Sequence, residues 1–575
     1  NFDETQNIFI YGDNLEALKL LQESYLGKIK MIYIDPPYNT GSDFIYEDDF
    51  SEDFDEFFLK SNQKDELGNH LVLNTDANGR FHSDWLSMIY SRVRLARNLM
   101  TDDGVIFVSI DDNESANLRR LLDEVFGEDN LLSIHHIQVR YGNKSLNERK
   151  DFQELLETVF IYSKNKSAVR LVKPTKDYPV EKFNLKVNHN DLPDLSITKR
   201  GRQMDIWRAG SFEIVKTEPG VDGFKETWIS GSILTGTGHG TMYTSMIDDR
   251  VEIDGNGCLY RIHGIGEDGL GYRYYTNPTD SQASRGKMYT KIPLNKREEV
   301  ISGGASKDMP IINFYDFAGD FGNIRHEGGV PFNSGKKPLK LIRQLIGYVP
   351  GNDFTILDFF AGSATTGHAT LEANSSDGGS RRFILVQIPE QIAVEDKVLT
   401  SITNELGVEP LISELSKERL RRAAGKISGE NTDLLSVKNI DLGFRVFKID
   451  TSNMRDVYYT PDAVTQNQLP GLVDNIREDR TPEDLLFQVL LDWGVDLSLP
   501  INQKTIGGKT VFFVDGNALV ACFDKGIDEA FVKQIAEHKP LRVVFRDNGF
   551  ADDSVKINVE QMFRLLSPST EIKTL

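Results

Sequence analysis

The stretch KMIYIDPPYNTG, residues 30–41, decides how the rest of the chain is interpreted. Its apolar and β-branched residues predict a buried strand that ends at Pro36-Pro37, because proline donates no ladder hydrogen bond and restricts the residue before it. Asp35 is therefore predicted at the carboxyl end of a strand, the edge where open α/β sheets bind ligands. Taken alone, the stretch fits either a site containing Asp35 and Tyr38 or a Pro-Pro turn with a capping aspartate.

The residues before this strand predict a β-α-β unit. The segment NIFIYGDN, residues 7–14, has the pattern of a short strand that ends in a Gly-Asp turn, and Leu15, Leu18 and Leu21 then recur at helical spacing. A strand, a helix and a second strand in this order predict a parallel pair.

Further strands are predicted at 104–110 and 157–163. The acidic cluster between them could bind a metal, but we expect Asp112 or Asn113 to cap the following helix instead. The acidic and aromatic segment 43–65 is expected to form an irregular loop or lid.

A second strand-turn-helix pattern lies more than 300 residues further on, in FTILDFFAGSATTG, residues 354–367. Its small side chains would let a ligand approach the backbone, and the N-terminus of the helix that starts near Thr365 favours a carboxylate or phosphate. Pro338 precedes a helix with a buried stripe, and another strand is predicted at 382–388.

Composition indicates an ordinary globular protein of several domains, with 575 residues, 39% hydrophobic residues and a formal net charge of −21. The segment 164–343 is an exception, with 27 basic and 22 acidic residues, so it is the part that would tolerate a polyanion such as DNA. Two cysteines exclude a disulfide framework and fit a cytoplasmic location. We expect no membrane span, and, because the chain begins at Asn1, further sequence before it.

The segment from about 166 to 330 differs in composition and pattern from the rest of the chain. Its many glycines and short alternating runs predict a β-rich insert. Its GTGHGT stretch, residues 236–241, lacks the ending and the context of a phosphate loop, so a plain loop is expected. His239 and His263 have no partners at ligand spacing, and no metal is predicted.

The two α/β halves flank one insert, so the economical arrangement is a single sheet in which both strand-end sites lie together. This arrangement resembles DNA adenine-N6 methyltransferases of the β class, in which a DPPY motif precedes the cofactor motif. Six stretches are more specifically similar to the modification (Mod) subunit of type III restriction-modification systems: NGRFHSDWLSMIY, GVIFVSIDDNE, LLETVFIYSKN, FFAGSATT, RRFILVQIPE and VKINVEQMFRLLSPSTEIK.

The resemblance implies a doubly wound, mostly parallel, Rossmann-like α/β sheet assembled from two sequence halves. It predicts four parts: a catalytic half at 1–165, a target-recognition insert at 166–332, a cofactor-binding half at 333–430 and a C-terminal α+β interaction domain at 431–575. It also implies double-stranded DNA as substrate, a Mod homodimer and a separate helicase-nuclease (Res) subunit, since no Walker or nuclease motif occurs here.

The resemblance assigns methyl transfer from S-adenosylmethionine to the DPPY residues Asp35, Pro36, Pro37 and Tyr38. An adenine amino nitrogen is a poor nucleophile because its lone pair is delocalised into the ring. Asp35 and the Pro36 carbonyl would each accept one N–H, free the lone pair and hold it in line with the methyl group. Tyr38 would stack on the adenine, which must be flipped out of the duplex.

The resemblance also implies a set of cofactor-binding residues: Asp13, Lys337, Asp358, Phe360, Ala361, Gly362, Ser363, Thr365, Gln387 and Glu390. Phe360 would lie against the cofactor adenine. Ala364 replaces the third glycine of the general motif, which is a small change. Gln387 stands where many methyltransferases have the acidic residue that binds the ribose, with Glu390 three residues later, so either could do so.

Two alternatives stay open. An amino-cytosine (N4) methyltransferase usually has serine where Asp35 stands. A DNA-recognition subunit that mainly recruits a nuclease would bind DNA without needing Asp35. The DNA recognition sequence and the base-contacting residues do not follow from composition.

Overall fold

The computed structural model describes residues 2–40, 44–46, 71–73, 81–142, 151–229, 238–279, 286–332, 336–393, 396–430, 440–455 and 476–575. The chain divides into two compact units, a larger one of Asn1–Val172 with Ile312–Leu575 and a smaller one of Lys173–Ile311. The division into four parts stays a prediction. Most of the expected lid at 43–65 and the start of the loop at 236–241 lie outside the described residues.

The first half of the larger unit alternates strands and helices: β1 (Ile8–Tyr11), α1 (Asn14–Tyr25), β2 (Ile29–Ile34), β3 (Phe44–Tyr46), β4 (Leu71–Leu73), α2 (Phe81–Leu99), β5 (Met100–Ile110), α3 (Ser115–Phe126), β6 (Leu131–Gln138) and β7 (Leu156–Ser163). The predicted β-α-β unit is therefore present as β1, α1 and β2. The Asp13 carboxylate starts α1 by accepting the backbone N–H groups of Leu15 and Glu16 at 2.8 and 3.0 Å, donors that a helix otherwise leaves unpaired.

The helix that follows β5 begins differently from the prediction. Glu114 occupies the N-cap position of α3, and its side chain makes no capping hydrogen bond. Asn113 instead donates its backbone N–H and its side-chain amide to Asp111, at 3.0 and 2.7 Å. The prediction that Asp112 or Asn113 caps this helix was wrong, because the turn closes on Asp111.

The smaller unit is rich in strands, as its sequence predicted: β8 (Thr175–Asp177), β9 (Leu185–His189), β10 (Leu195–Lys199), β11 (Arg202–Trp207), β12 (Phe212–Lys216), β13 (Lys225–Trp228), α4 (Gly238–Met246), α5 (Val251–Asp254), β14 (Leu259–His263), β15 (Tyr272–Thr276), β16 (Lys287–Thr290), α6 (Leu294–Ile301) and β17 (Ser306–Asp308). Six strands form an antiparallel sheet in the order β10-β11-β14-β15-β16-β13, and β9–β12 and β8–β17 form separate antiparallel pairs. Buried aromatic residues, including Trp207, Tyr260 and Tyr275, pack on this sheet.

The second half of the larger unit returns to the α/β pattern: β18 (Phe314–Asp316), α7 (Ala318–Gly322), α8 (Leu339–Tyr348), β19 (Thr355–Asp358), α9 (Thr365–Asp377), β20 (Arg382–Gln387), α10 (Lys397–Leu406), α11 (Ile412–Glu430) and β21 (Arg445–Lys448). Pro338 is the N-cap of α8 and lacks only the N–H that a helix start does not need. The predicted apolar stripe of α8 is buried.

One nine-stranded sheet joins the two halves, in the order β18-β6-β7-β5-β2-β19-β20-β1-β21. All neighbouring strands in it run parallel except β7, which is antiparallel to both β5 and β6. Successive residues of β20 face opposite sides, so Ile384 packs in the cluster with α1 and Leu385 in the cluster with α9 and α11. The predicted doubly wound α/β sheet assembled from two sequence halves is confirmed.

The C-terminal part of the larger unit adds a second sheet: α12 (Pro482–Asp492), β22 (Ile501–Ile506), β23 (Lys509–Val514), β24 (Leu519–Cys522), α13 (Glu529–Glu537), β25 (Arg542–Phe545), α14 (Asp553–Leu566) and β26 (Glu571–Thr574). The sheet order is β22-β23-β24-β25-β26. Arg445 ties this part to the N-terminus by donating to the carbonyls of Phe2, at 2.7 Å, and Leu499, at 2.7 Å. Among the helices that the structure describes, none has the length and apolar character to cross a membrane.

Candidate active site

The DPPY loop, residues 35–38, leaves the end of β2 and is anchored from two sides. Trp85 of α2 donates its indole N–H to the Pro37 carbonyl at 2.7 Å. Asn39, with a φ of 60°, donates its side-chain amide to the buried Glu114 carboxylate at 2.6 Å. Because side chains from α2 and from the start of α3 hold it, the loop is fixed by the protein itself.

Asp35 belongs to a four-residue acid–lysine cluster, formed by Asp35, Tyr38, Glu157 and Lys337. Lys337 Nζ lies 3.0 Å from Asp35 Oδ2, 3.2 Å from Glu157 Oε2 and 2.6 Å from the Tyr38 hydroxyl. The Tyr38 hydroxyl lies 2.9 Å from Asp35 Oδ1 and 3.0 Å from Glu157 Oε2. Glu157 reaches this edge because β7 is antiparallel, so its first residues lie where the parallel strands end.

The acid–lysine cluster is poorly solvated, with exposed side-chain fractions of 8% for Lys337, 17% for Asp35 and 19% for Glu157. Burial raises the pKa of Asp35, the Lys337 charge opposes this shift, and the Glu157 charge adds to it. Burial would lower the pKa of Lys337, but the attraction of both carboxylates outweighs it and raises that pKa. When all three groups are ionised, the cluster carries one net negative charge.

The turn after β19 is organised by Asp358. Its carboxylate accepts the Phe360 backbone N–H at 3.1 Å and the Thr366 hydroxyl at 2.6 Å. Burial raises the Asp358 pKa to about 7. Ala364 adopts the left-handed conformation, with φ of 59° and ψ of 34°, at the N-cap of α9. The glycine-to-alanine change is therefore accommodated in a conformation that glycine would adopt with less strain.

A buried arginine from α11 supports the same turn from behind. The Arg419 guanidinium donates to the Ser363 hydroxyl at 2.9 Å and to the Thr365 hydroxyl at 2.7 Å. Arg419 is fully buried, and burial lowers its pKa to about 10. Ser416, one turn earlier on α11, donates its hydroxyl to the Gly362 carbonyl. Ser363 and Thr365 thus hold the turn in shape through their side chains.

Gln387 and Glu390, at the end of β20, differ sharply in their contacts. Gln387 accepts the Gly362 N–H at 2.6 Å and donates to the Ile388 carbonyl at 3.2 Å, so both ends of its amide are engaged within the protein. Glu390 is partly buried, and among the described residues no polar side-chain partner is found for its carboxylate. Burial raises the pKa of Glu390. Glu390 is therefore the acceptor that stays available to a ligand.

Asp13 and Asn14 connect the first half of the sheet to the second. Asn14 donates its amide to the Phe359 carbonyl at 2.7 Å. The fully buried Arg92 donates to the side-chain amide oxygen of Asn14 and, at 2.9 Å, to the Met88 backbone carbonyl. Its guanidinium also lies 3.4 Å from the Asp13 carboxylate. These contacts fix the Gly-Asp turn against the turn that follows β19.

Residues 29–395, more than half of the chain, match the family model described as DNA methylase. The chain belongs to the DNA methylase family. This methylase is 31% identical over 459 residues to the StyLTI Mod subunit of Salmonella typhimurium, which covers 78% of this chain and 61% of that protein. It is 28% identical over 588 residues to the Escherichia coli EcoP15I Mod subunit, covering 95% of this chain and 81% of that protein.

The methylase spans about three fifths of the length of the Salmonella subunit. Its identity to both subunits confirms the predicted resemblance to type III Mod subunits. Among solved structures, it is similar to the PvuII cytosine-N4-specific DNA methyltransferase, with 12% identity, a TM-score of 0.30, and coverage of 74% of this chain and 97% of that one.

The fold of this methylase brings together the two motifs that its sequence separates. β2 and β19 are adjacent, with Leu357 opposite Ile32, so the DPPY loop and the Asp358 turn leave the same edge of the sheet. Ala361 is held in the turn by its N–H, which donates to the Val386 carbonyl at 3.1 Å. The roles predicted for the individual site residues stay predictions.

Several residues of the methylase site were not singled out from the sequence: Asn14, Trp85, Arg92, Glu114, Glu157, Ser416 and Arg419. Trp85, Glu114 and Glu157 lie within stretches that carried the family resemblance. The resemblance therefore marked these segments, but it did not indicate what the three side chains do. Arg92 and Arg419 lie on helical faces whose neighbouring residues are buried, and a charged residue on a buried face could have drawn attention to them. In the described part of the chain, no group of His, Cys, Asp or Glu suited to a metal ion is found.

Proposed function

We propose that this methylase transfers a methyl group from S-adenosylmethionine to N6 of a flipped-out adenine in double-stranded DNA. The observation that carries the proposal is the position of Asp35 and Tyr38 at the sheet edge, beside the Asp358–Phe360 turn, in a chain of the DNA methylase family. The proposal includes the role of modification and specificity subunit in a type III restriction-modification system, the kind of enzyme to which the Salmonella and E. coli relatives belong by name.

Asp35 and the Pro36 carbonyl would accept the two amino hydrogens of adenine and leave the nitrogen lone pair directed at the incoming methyl group. Aspartate suits this role because its ionised form accepts hydrogen bonds and donates none. The nitrogen would gain a bond to the methyl carbon as the carbon–sulfur bond of the sulfonium breaks and the neutral thioether leaves, and the amino proton that the nitrogen gives up would pass to solvent. The Tyr38 ring would stack on the flipped base, and its hydrogen-bonded hydroxyl limits how far the ring can turn.

S-adenosylmethionine would supply an electrophilic methyl group on a sulfonium centre, and the residues present fit this cofactor. Glu390 offers a partly buried carboxylate that has no polar side-chain partner among the described residues, which suits the ribose hydroxyls. We assign this role to Glu390 rather than Gln387, because the Gln387 amide is engaged with Gly362 and Ile388. Phe360 would contact the cofactor adenine, and Asp13 and Lys337 would border the pocket.

The smaller unit is proposed to recognise the DNA target. It carries 19 basic and 19 acidic residues, whereas the whole chain has a net charge of −21, so it repels a polyanion least. The proposal also includes a homodimer and a Res partner. It places the methylase in the cytoplasm, where DNA and cofactor are both present.

A DNA-binding assay beside a methyl-transfer assay tests this function. Wild-type protein is incubated with radiolabelled S-adenosylmethionine and double-stranded DNA, and Asp35→Ala is its matched variant. We expect label in the DNA with wild type and none with Asp35→Ala. The DNA affinity of Asp35→Ala should equal that of wild type. Full labelling by Asp35→Ala would refute the catalytic assignment. DNA binding without labelling by wild type would favour the alternative of a recruiting subunit.

A further inference from the structure

The acid–lysine cluster engages both oxygens of Asp35. Oδ2 lies 3.0 Å from Lys337 Nζ, and Oδ1 lies 2.9 Å from the Tyr38 hydroxyl. The three acceptors around Lys337 match the three hydrogens of its ammonium group, so each hydrogen has a partner. Each Asp35 oxygen keeps a further lone pair, but the two donors fix the orientation of the carboxylate, so turning it toward an amino hydrogen of adenine moves Asp35 away from at least one of them.

Glu157 is the second acceptor for both donors. Its Oε2 lies 3.2 Å from Lys337 Nζ and 3.0 Å from the Tyr38 hydroxyl, so each donor has Glu157 as an alternative to Asp35. A buried ion pair needs only one carboxylate. The second one costs desolvation and repels Asp35, an effect that also raises the Asp35 pKa.

We propose that Glu157 is a positioning residue for methyl transfer, which holds the Lys337 ammonium and the Tyr38 hydroxyl while Asp35 turns its carboxylate to the adenine amino group. The inference rests on the proposed function. The exchange of partners needs only small side-chain rotations, because Glu157 is already within hydrogen-bonding distance of both donors. Without Glu157, the same movement would leave the buried ammonium group without a carboxylate partner, with only the Tyr38 hydroxyl as acceptor.

Glu157→Gln is the test variant, since it removes the charge and keeps the size of the side chain. We expect its kcat to fall about 10- to 100-fold, the loss of one charged hydrogen bond in the reacting state, with KM for DNA and cofactor unchanged. Its acid limb of kcat against pH should move to lower pH, because the Glu157 charge no longer raises the Asp35 pKa. A purely structural role would not move that limb.

Two further variants make the result decisive. Glu157→Asp keeps the charge, so it should recover part of kcat and keep the acid limb near the wild-type position; recovery no better than Glu157→Gln would overturn the proposal, even if both variants lose stability. Glu124→Gln makes the same change on the exposed face of α3 and should behave as wild type.

The outcomes separate this inference from the proposed function. Methylation by wild type, together with an unchanged kcat and pH profile in Glu157→Gln, would overturn the role of Glu157 and leave the proposed function intact. Wild-type protein that transfers no methyl group under any condition would overturn both. Loss of kcat with a shifted acid limb in Glu157→Gln, partly restored in Glu157→Asp, would support both.

Discussion

The contrast between Glu390 and Gln387 makes a quantitative prediction about cofactor binding. Glu390→Ala removes a carboxylate with no polar side-chain partner in the described part of the chain, so no side-chain hydrogen bond to those residues is lost. If that carboxylate accepts the two ribose hydroxyls, its removal costs about 3 kcal/mol of binding free energy, which is roughly a 100-fold rise in Kd. Isothermal titration with S-adenosylmethionine measures this change directly.

Gln387→Ala is the matched variant, because it removes an amide from the same strand end. It leaves the Gly362 N–H without its acceptor at 2.6 Å, so the free energy of unfolding should fall by about 1–3 kcal/mol. Urea unfolding of both variants provides this comparison. Wild-type affinity in Glu390→Ala would refute the assignment. A larger loss of affinity in Gln387→Ala, without loss of stability, would assign the ribose to Gln387 instead.

The pH dependence of stability is a second readout for Glu390. Burial raises its folded-state pKa above the ordinary value of 4.5, so the folded protein holds the proton more tightly than the unfolded chain does. Its contribution to stability is therefore complete below that ordinary pKa and is lost as the pH rises through the raised one. Glu390→Ala should gain stability relative to wild type at pH 7, and this gain should shrink toward pH 4.

Three other variants test the supports of the site and of the sheet. Arg419→Met removes the buried guanidinium behind the segment 363–365 and should cost about 3 kcal/mol of unfolding free energy by urea titration, with weaker cofactor binding. His135 is a buried residue of β6, and burial lowers its pKa from 6.5 to about 4, so its protonation costs stability as the pH falls through that window. His135→Phe should remove this loss, which reaches about 2 kcal/mol between pH 7 and pH 5, and thermal unfolding across that range follows it. Trp85→Phe keeps an aromatic ring but removes the hydrogen bond to the Pro37 carbonyl. It should lower kcat because the DPPY loop is held less firmly, and Tm measured beside it reports any loss of stability. Unchanged stability in Arg419→Met, an unchanged pH dependence of stability in His135→Phe, or an unchanged kcat in Trp85→Phe would contradict the corresponding expectation.

Local patterns predicted the elements that carry the site. The apolar strand before Asp35 and the small-residue turn after Leu357 each contain their own start and stop signals, so β2 and β19 formed where expected. Their pairing followed from the interruption of one α/β pattern by a β-rich insert. This inference used the order of elements along the chain and needed no long-range contact.

Residues that act across the sheet could not be predicted in the same way. Glu157 becomes part of the site only because β7 runs antiparallel, and that direction is set by pairing with β5 and β6. The expected cap at Asp112 or Asn113 failed for a related reason: Asn113 bonds Asp111, while the Glu114 carboxylate binds Asn39, far away in sequence. Gln387 and Glu390 could be separated only once their hydrogen bonds were known.

Identification of the methylated base tests the central claim most directly. DNA treated with the protein and S-adenosylmethionine is digested to nucleosides and measured by mass spectrometry, with Asp35→Asn as the control. We predict N6-methyladenine with wild type and none with the variant. N4-methylcytosine as the product, or N6-methyladenine at the wild-type level with Asp35→Asn, would contradict the account.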